Sequence, residues 1–369
     1  MTGAGIATVA RQEFRLRIRA GRWRVLLGGW FGVLLVFTLL LRAALGGVSQ
    51  GEFVDKGVVL YGGLALFVLG LALLVVPALA AQSINGDRER GTLATLQVSR
   101  LTAGEIALGK FAAAWGTALV FLALTLPLVG FAMTQGGVPF GRVVVETLVL
   151  ALLLGTVCAI SLLLSALLTR TTTSGVLAYL MVFALTVGTL IVFGLVTAAT
   201  TQIVTEQATT TCPTLAQLPP DIPPERRDAI LAGCTPGVQT YTTSRGRTDR
   251  TWWLLAPNPF VVLADAAPQL PPLTAAERAR RQADEQRGVF RRDARDVDPL
   301  GQLGRAVRNL RRPQGATQVL TNPAPRDARR PVWPTGLAID LALGAGALAL
   351  TARRLRTPTR KLPKGQRVA

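Results

Sequence analysis

One short stretch of the chain comes close to a nucleotide-binding loop. Residues 104–111 read GEIALGKF, one residue away from the pattern G-x-x-x-x-G-K-[ST] that holds nucleotide phosphates. That chemistry needs a strand before the loop, glycines outside a helix, and a hydroxyl after the lysine to bind magnesium. Phe111 stands at the hydroxyl position, and no strand-like run precedes Gly104. We therefore do not expect this segment to bind a nucleotide.

The residues around this stretch predict a helix. Thr102 and Glu105 have the spacing of a capping box, in which each side chain bonds the backbone N–H of the other at a helix start. A helix that begins after Thr102 contains Gly104 and Gly109, and a helix interior cannot wrap around a phosphate. We expect Lys110 to mark the cytoplasmic end of the apolar helix that follows.

The composition offers little catalytic chemistry. The chain has no histidine, which removes the most common general base and a common metal ligand. No pair of side chains has the pattern of a nucleophile and its base. We therefore expect no catalytic residue, no metal site and no cofactor held by this chain.

The hydrophobic residues, half of the 369, are concentrated in long runs. A helix needs about 20 apolar residues to cross a bilayer. Six runs reach or approach that length, so the sequence predicts an all-α membrane protein with six transmembrane helices. The predicted spans are residues 25–45, 58–81, 111–133, 143–168, 175–199 and 335–352.

The positive charges predict the orientation of these spans. Lys and Arg are enriched in the short cytoplasmic segments of membrane proteins. With the N-terminus inside, the short inner segments hold 18 such residues and the two short outer loops hold 2. We therefore expect a multi-pass protein of the cell membrane with both termini in the cytoplasm, including the basic tail 353–369. The net charge of +19 is consistent with this topology and does not by itself indicate nucleic-acid binding.

This orientation places residues 200–334 on the outer face as one insertion rich in proline and arginine. Cys212 and Cys234 lie in it, and an oxidising exterior would favour a disulfide between them, with two free thiols as the alternative. Within the same insertion, Thr274 and Glu277 have capping-box spacing and predict a solvated, charged helix.

A second part of the insertion is apolar. Residues 251–263 are too short to cross the membrane and contain two prolines. We expect this segment to lie in the outer membrane interface or to dip in and out of the membrane, with Trp252 and Trp253 at the level of the headgroups.

A longer run around Lys110, NGDRERGTLATLQVSRLTAGEIALGKF, has a recognisable pattern. It contains E-x-G-T-L-x-x-L, a polar break and then x-E-I-x-x-G-K, and it joins the second and third predicted spans. In these features it resembles the first cytoplasmic loop of the type-two ATP-binding-cassette (ABC-2 type) exporter permeases. Arg100 stands at the break, where that family usually has proline. The matching residues are Glu89, Gly91, Thr92, Leu93 and Leu96, then Glu105, Ile106, Gly109 and Lys110.

The resemblance implies a permease subunit that works as a homo- or heterodimer with separate ATPase subunits, which bind the ATP. It implies that loop 82–110 is the coupling loop that docks on the ATPase; an ordinary solvated loop is the alternative. The coupling residues would be Glu89, Arg90, Gly91, Thr92, Leu93, Leu96, Arg100 and Glu105.

The segment before the first span resembles the elbow helix of the same family. Residues 1–24 are rich in arginine, and a helix would bring part of their apolar residues to one side. The alternation of Phe14, Leu16 and Ile18 would equally suit a strand. On a helix, the shared side would carry Ala7, Ala10, Phe14 and Ile18.

Few ionisable residues fall within the predicted spans. They are Arg42, Glu146 and Asp340, and their positions place all three in the outer leaflet. Charges in lipid are usually paired, so an ion pair between Arg42 and Asp340 is one expectation. Extension of Arg42 and Glu146 to the membrane surface is the alternative.

A second class of function stays open at this point. A membrane-anchored structural or immunity-type protein would use insertion 200–334 as its working part, with residues 25–199 and 335–352 as the anchor. A catalytic constellation in the insertion would favour that reading, and the sequence offers none.

Overall fold

A computed structural model describes most of the chain, and within it six helices are long and apolar enough to cross a membrane. The predicted fold class, a mostly helical membrane protein with six spans, is confirmed at this level. The orientation of the spans stays a prediction. The described residues are 2–19, 21–46, 56–91, 101–210, 223, 225–226, 237–270, 274–287, 297–311 and 330–356.

The described part of the first half of the chain is helical apart from brief connecting residues. Helix α1 is the predicted N-terminal helix, and α4 is a short helix within loop 82–110. The fifth span is a continuous helix in which one π-helical turn, Ala184–Gly188, separates α7 from α8. The helices are α1 Gly3–Arg19, α2 Gly21–Gly46, α3 Lys56–Ala80, α4 Asn85–Glu89, α5 Ala103–Thr134, α6 Phe140–Leu167, α7 Thr171–Phe183 and α8 Thr189–Ala199.

The second half of the chain contains strands as well as helices. After the strands, Trp252–Leu255 forms one 3₁₀ turn. The other elements are strands β1 Thr201–Thr210 and β2 Gly237–Gly246, then α9 Thr248–Thr251, α10 Pro259–Ala266, α11 Ala275–Gln286, α12 Pro299–Asn309 and α13 Trp333–Arg354.

The contacts divide the chain into two units. The first contains residues 1–190, 255–307 and 331–369, and the second contains residues 191–254 and 308–330. The sequence treats 200–334 as one insertion, whereas the contacts join its middle part, 255–307, to the spans.

The core of the first unit lies between the spans. Helix α5 packs against α1, α3 and α6, and α13 packs along α6. The buried positions on these helices are mainly Leu, Val and Ala. Trp30 of α2 packs on Phe121 of α5 in a tilted contact, with a ring-centroid distance of 5.0 Å. Because most outward positions of the spans are also apolar, this unit has the composition expected of a protein solvated by lipid.

Helix α10 explains why the segment 251–263 is apolar. Asn258 caps it by accepting from the N–H groups of Phe260 and Val261, and Pro259 occupies the first turn, where no donor is needed. Its side chains are buried against α6 and α13. Residues 255–263 are thus mostly buried in the first unit, whereas Trp253 is exposed. The position of this segment at the outer interface stays a prediction.

The start of α13 is fixed by the same segment. Asp265 is buried, and its carboxylate accepts from the N–H groups of Val332 and Trp333. These are among the N–H groups that a helix start leaves without partners, so the carboxylate satisfies them and complements the helix dipole.

The second unit contains a sheet that the all-α prediction did not include. Strands β1 and β2 pair antiparallel, from Thr201 opposite Gly246 to Thr210 opposite Gly237. Both strands are rich in threonine, a β-branched residue that favours extended structure. Arg247 follows β2 and binds the carboxylate of Asp249 through two nitrogens at 2.9 Å each, which lowers the pKa of Asp249 below its ordinary value.

The predicted solvated helix in the insertion is confirmed. Thr274 and Glu277 form a reciprocal capping box, with the Thr274 N–H donating to Glu277 at 2.7 Å and the Glu277 N–H donating to Thr274 at 3.3 Å. The described side chains of α11 are mostly exposed. Cys212 and Cys234 lie outside the described residues, so their pairing stays a prediction.

Candidate functional site

The GEIALGKF stretch lies inside α5 and forms no phosphate loop. Thr102 and Glu105 make the predicted capping box, with the Thr102 N–H donating to Glu105 at 2.8 Å and the Glu105 N–H donating to Thr102 at 3.3 Å. The helix then runs unbroken from Ala103 through Lys110. The prediction that these glycines lie within a helix is confirmed.

Lys110 is fully buried, with a side chain 0% exposed. Its ammonium donates to Glu13 Oε1 at 2.5 Å, to the Ser83 carbonyl at 3.0 Å and to Asp87 Oδ2. All three N–H groups of the ammonium are therefore used. We call Glu13, Ser83, Asp87 and Lys110 the Lys110 junction. Nothing in the sequence indicated these partners, and the place of Lys110 at the cytoplasmic end of the third span stays a prediction.

Helix α1 is held close to α5 along its length. The Thr2 N–H and hydroxyl donate to Glu105 Oε1 at 2.5 and 3.0 Å, and Arg17 donates to the Thr117 hydroxyl at 3.1 Å. Burial lowers the pKa of the Arg17 guanidinium from its ordinary value, and the neighbouring Glu13 carboxylate opposes that shift.

The two helices approach closely because of a glycine. A Cβ added at Gly109 would lie 2.5 Å from Val9 Cβ and 3.1 Å from the Ile6 carbonyl oxygen. Val9 is buried in this contact. Of the predicted apolar side of α1, Ala10 and Phe14 are half-buried, whereas Ala7 and Ile18 are exposed.

The segment between α3 and α4 is fixed from the other side by α6. The Ser165 hydroxyl accepts from the N–H groups of Ile84 and Asn85 at 3.1 and 3.0 Å. The Asn85 amide donates to Ser174 Oγ at 3.2 Å, and Ser174 donates to the Ala81 carbonyl at 2.8 Å. This buried polar network ties the end of the second span to the fourth and fifth spans.

The predicted coupling residues Glu89, Arg90 and Gly91 end this fixed segment. Glu89 accepts from the Thr171 N–H at 3.3 Å, and Arg90 donates to Asp87 at 2.9 Å. Gly91 has a φ of 69°, a left-handed conformation that glycine adopts without strain. Thr92, Leu93, Leu96 and Arg100 lie outside the described residues.

Both ends of residues 92–100 are therefore anchored. On the N-terminal side, α4 is held by hydrogen bonds to the fourth and fifth spans and by the Lys110 junction. On the C-terminal side, the capping box begins α5, which carries Lys110 about two turns later. The junction thus links the two ends of the loop to each other and to α1.

A second buried charge cluster lies elsewhere in the first unit. The Arg142 guanidinium binds the Asp298 carboxylate through two nitrogens at 2.8 Å each and Glu146 Oε1 at 2.8 Å. The three side chains are at most 2% exposed. The expected extension of Glu146 to the membrane surface is wrong, and Arg142, which the sequence places in an outer loop, lies inside α6.

Asp340 is the other buried carboxyl among the predicted intramembrane charges. It is 1% exposed, and neither carboxylate oxygen has a hydrogen-bond partner within the described ranges. The predicted ion pair between Asp340 and Arg42 is therefore not formed. The backbone carbonyl of Asp340 accepts from the Thr156 hydroxyl at 3.2 Å, which places this part of α13 directly against α6.

Sequence reasoning missed Glu13, Asp87, Arg142 and Asp298. A local signal existed for one pair, because Arg142 and Glu146 stand four residues apart and would face each other on a helix. The partners of Lys110 and Asp298 are distant in sequence, and no spacing rule identifies them.

No protein-family model and no curated protein matches this chain. In the part of the chain that the structure describes, no group of three or more His, Cys, Asp or Glu side chains could hold a metal ion. The candidate site therefore consists of the two anchored ends of the loop and the Lys110 junction.

Proposed function

We propose that this chain is the membrane-spanning permease subunit of an ATP-binding-cassette exporter of the type-two class. In this proposal, a separate ATPase subunit binds and hydrolyses ATP and docks on loop 82–110. A second permease subunit completes the transporter within the lipid bilayer, and the chain itself holds no cofactor.

The observation that carries the proposal is the anchoring of the loop at both ends. A docking element can move spans only if its connections do not absorb the motion. The N-terminal side of the loop is held by hydrogen bonds to Ser165 and Thr171, and the C-terminal side is held by the capping box at Thr102. The residues on either side of 92–100 can therefore move little relative to the spans. The loop residues named above match the coupling loop of that permease family in spacing, which supports the same reading.

The Lys110 junction adds a mechanical consequence. It joins α1, the α3–α4 connection and α5 through one ammonium group. A displacement of the loop would then move these three elements together, as a rigid block, and not one at a time. In the proposed exporter this block would transmit closure of the ATPase to the second and third spans.

Recruitment of the ATPase tests the proposal. The full chain would be co-expressed with candidate ATPase subunits encoded near it and purified through a tag on the permease. We expect Gly91→Asp and Leu96→Asp to abolish co-purification, because each places a charge on the docking surface. Ala276→Asp on α11 is the matched control, since it adds the same charge to an exposed helix outside the loop. It should leave co-purification unchanged.

Two outcomes would contradict the proposal. One is unchanged co-purification of both loop variants with an ATPase that the unaltered chain recruits. The other is turnover of ATP by the chain purified alone to homogeneity.

A further inference from the structure

The arginines of α1 are divided between two faces of the helix. Arg17 lies on the side that packs on α5 and donates to Thr117. Arg11, Arg15 and Arg19 are exposed. With about 100° between successive residues, these three form a stripe roughly opposite the row of Val9, which is buried, and Arg17.

Among the described residues, the stripe has no neutralising partner. Within the described ranges, none of the three guanidinium groups makes an ion pair or hydrogen bond, and the nearest carboxylate on the helix, Glu13, is bound to Lys110 on the other face. Residues four apart on a helix are neighbours, so three positive charges lie along about 12 Å of one surface. Such a surface attracts a negatively charged partner with several phosphate or carboxylate groups.

The position of the stripe favours a lipid partner over a soluble acidic protein. Helix α1 ends at Arg19, and the first candidate span begins at Trp23, so Arg19 lies within about one turn of the membrane-spanning segment. Leu16 and Ile18 flank the stripe and are 64% and 48% exposed. Exposed apolar side chains beside arginines are typical of helices at the boundary between headgroups and acyl chains.

We infer that Arg11, Arg15 and Arg19 form a docking surface for the headgroups of anionic phospholipids. A guanidinium binds a phosphate through two parallel N–H···O bonds, and a row of three could hold the phosphates of adjacent lipids. The opposite face of α1 is fixed to α5 through Glu105 and the Lys110 junction, so a bound lipid would contact the same block that carries loop 82–110. The inference does not depend on the proposed exporter function, because it concerns lipid contact alone.

Lipid binding to the full chain in an uncharged detergent tests the inference. Native mass spectrometry would measure retention of added phosphatidylglycerol and, separately, phosphatidylcholine. The unaltered chain should bind phosphatidylglycerol more tightly, and Arg11→Gln/Arg15→Gln/Arg19→Gln should weaken that binding on the order of 100-fold while leaving phosphatidylcholine unaffected.

Two further variants isolate the stripe. Arg278→Gln/Arg280→Gln/Arg287→Gln removes three exposed arginines on and beside α11 and should keep the phosphatidylglycerol preference. Arg11→Lys/Arg15→Lys/Arg19→Lys keeps the positive charges and should keep most of the phosphatidylglycerol preference. This variant separates the effect of lost charge from the effect of a misfolded chain. The inference is overturned if the triple glutamine variant of α1 retains the phosphatidylglycerol preference. It is equally overturned if the α11 variant loses as much of that preference as the α1 variant does. It is also overturned if the unaltered chain shows no preference and the stripe instead governs binding to an acidic protein.

Discussion

A single ammonium group connects three separate parts of the chain at the Lys110 junction. Removing a charge from water is costly, and only good geometry with complete hydrogen bonding compensates for that cost. Lys110 meets both conditions, because two carboxylates and a carbonyl use all of its donors. The junction therefore specifies one arrangement of these parts, since any other arrangement would leave a buried charge without a partner.

Replacement of Lys110 by methionine tests this at the level of one residue. The change leaves Glu13 and Asp87 without their shared cation, and we expect a loss of about 3–5 kcal/mol in the free energy of unfolding. Thermal unfolding of the detergent-solubilised chain would measure it. Lys110→Met/Glu13→Gln should recover part of the loss because it removes one unpaired charge. Equal stability of Lys110→Met and the unaltered chain would show that the junction contributes nothing.

The cluster around Arg142 makes a second prediction. Arg142→Met leaves Asp298 and Glu146 buried without a cation, so it should release the segment around α12 from the spans. Hydrogen–deuterium exchange in residues 297–309 should rise, and Asp298→Asn should raise it to a smaller extent. Arg278→Met, at an exposed position, is the control and should leave exchange in residues 297–309 unchanged. Unchanged exchange in Arg142→Met would show that the cluster does not hold α12 against the spans.

The sequence predicts single residues well only where the signal is local. The capping boxes at Thr102 and Thr274 were predictable because both partners stand three residues apart. Arg142 fell in the predicted loop because it stands just before the predicted span 143–168. Its main partner, Asp298, lies 156 residues further along the chain, and such a distance is fixed by folding and not by spacing.

At the scale of elements, the contact between α1 and α5 depends on small side chains. A methyl group at Gly109 would overlap Val9 and the backbone of Ile6, whereas one at Gly116, two turns along the same helix, meets nothing within 4 Å. Helix α1 can therefore pack closely against the N-terminal part of α5 only while position 109 carries no side chain.

Alanine substitutions at these two glycines form a matched pair. Gly109→Ala should push α1 away from α5 and lower the free energy of unfolding by about 1–3 kcal/mol, the usual cost of overpacking. Gly116→Ala should be neutral or slightly stabilising, because alanine favours a helix more than glycine does. Exchange rates in α1, together with thermal unfolding, would distinguish them. The same response at both positions would contradict close packing at Gly109.

The helices were predictable because length and apolar character identify a span without knowledge of its neighbours. The strands were missed because β1 and β2 consist largely of polar residues, several of them threonine, and show no alternation of apolar and polar side chains. The burial of α10 was missed for a different reason. An eight-residue apolar helix gives the same sequence pattern whether it packs on other helices or on lipid.

At the scale of the whole molecule, an even number of spans puts both termini on one side of the membrane. Tags at the N- and C-terminus should therefore respond identically to a protease added to sealed vesicles of known orientation, and the charge distribution predicts protection when the outer face is exposed. A cysteine introduced at exposed Thr242, between the fifth and sixth spans, should react with an impermeant reagent in the same vesicles. Opposite responses of the two tags would contradict six crossings.

The complete hydrogen bonding of Lys110 makes the reactivity of its amine a measure of whether α1 is in place. An amine must be free to attack an acylating reagent, and this amine is both buried and fully hydrogen-bonded. In the native protein it should resist modification, and it should react as soon as α1 detaches. Peptide mapping of acylated Lys110 would thus time the release of the N-terminal helix independently of global unfolding.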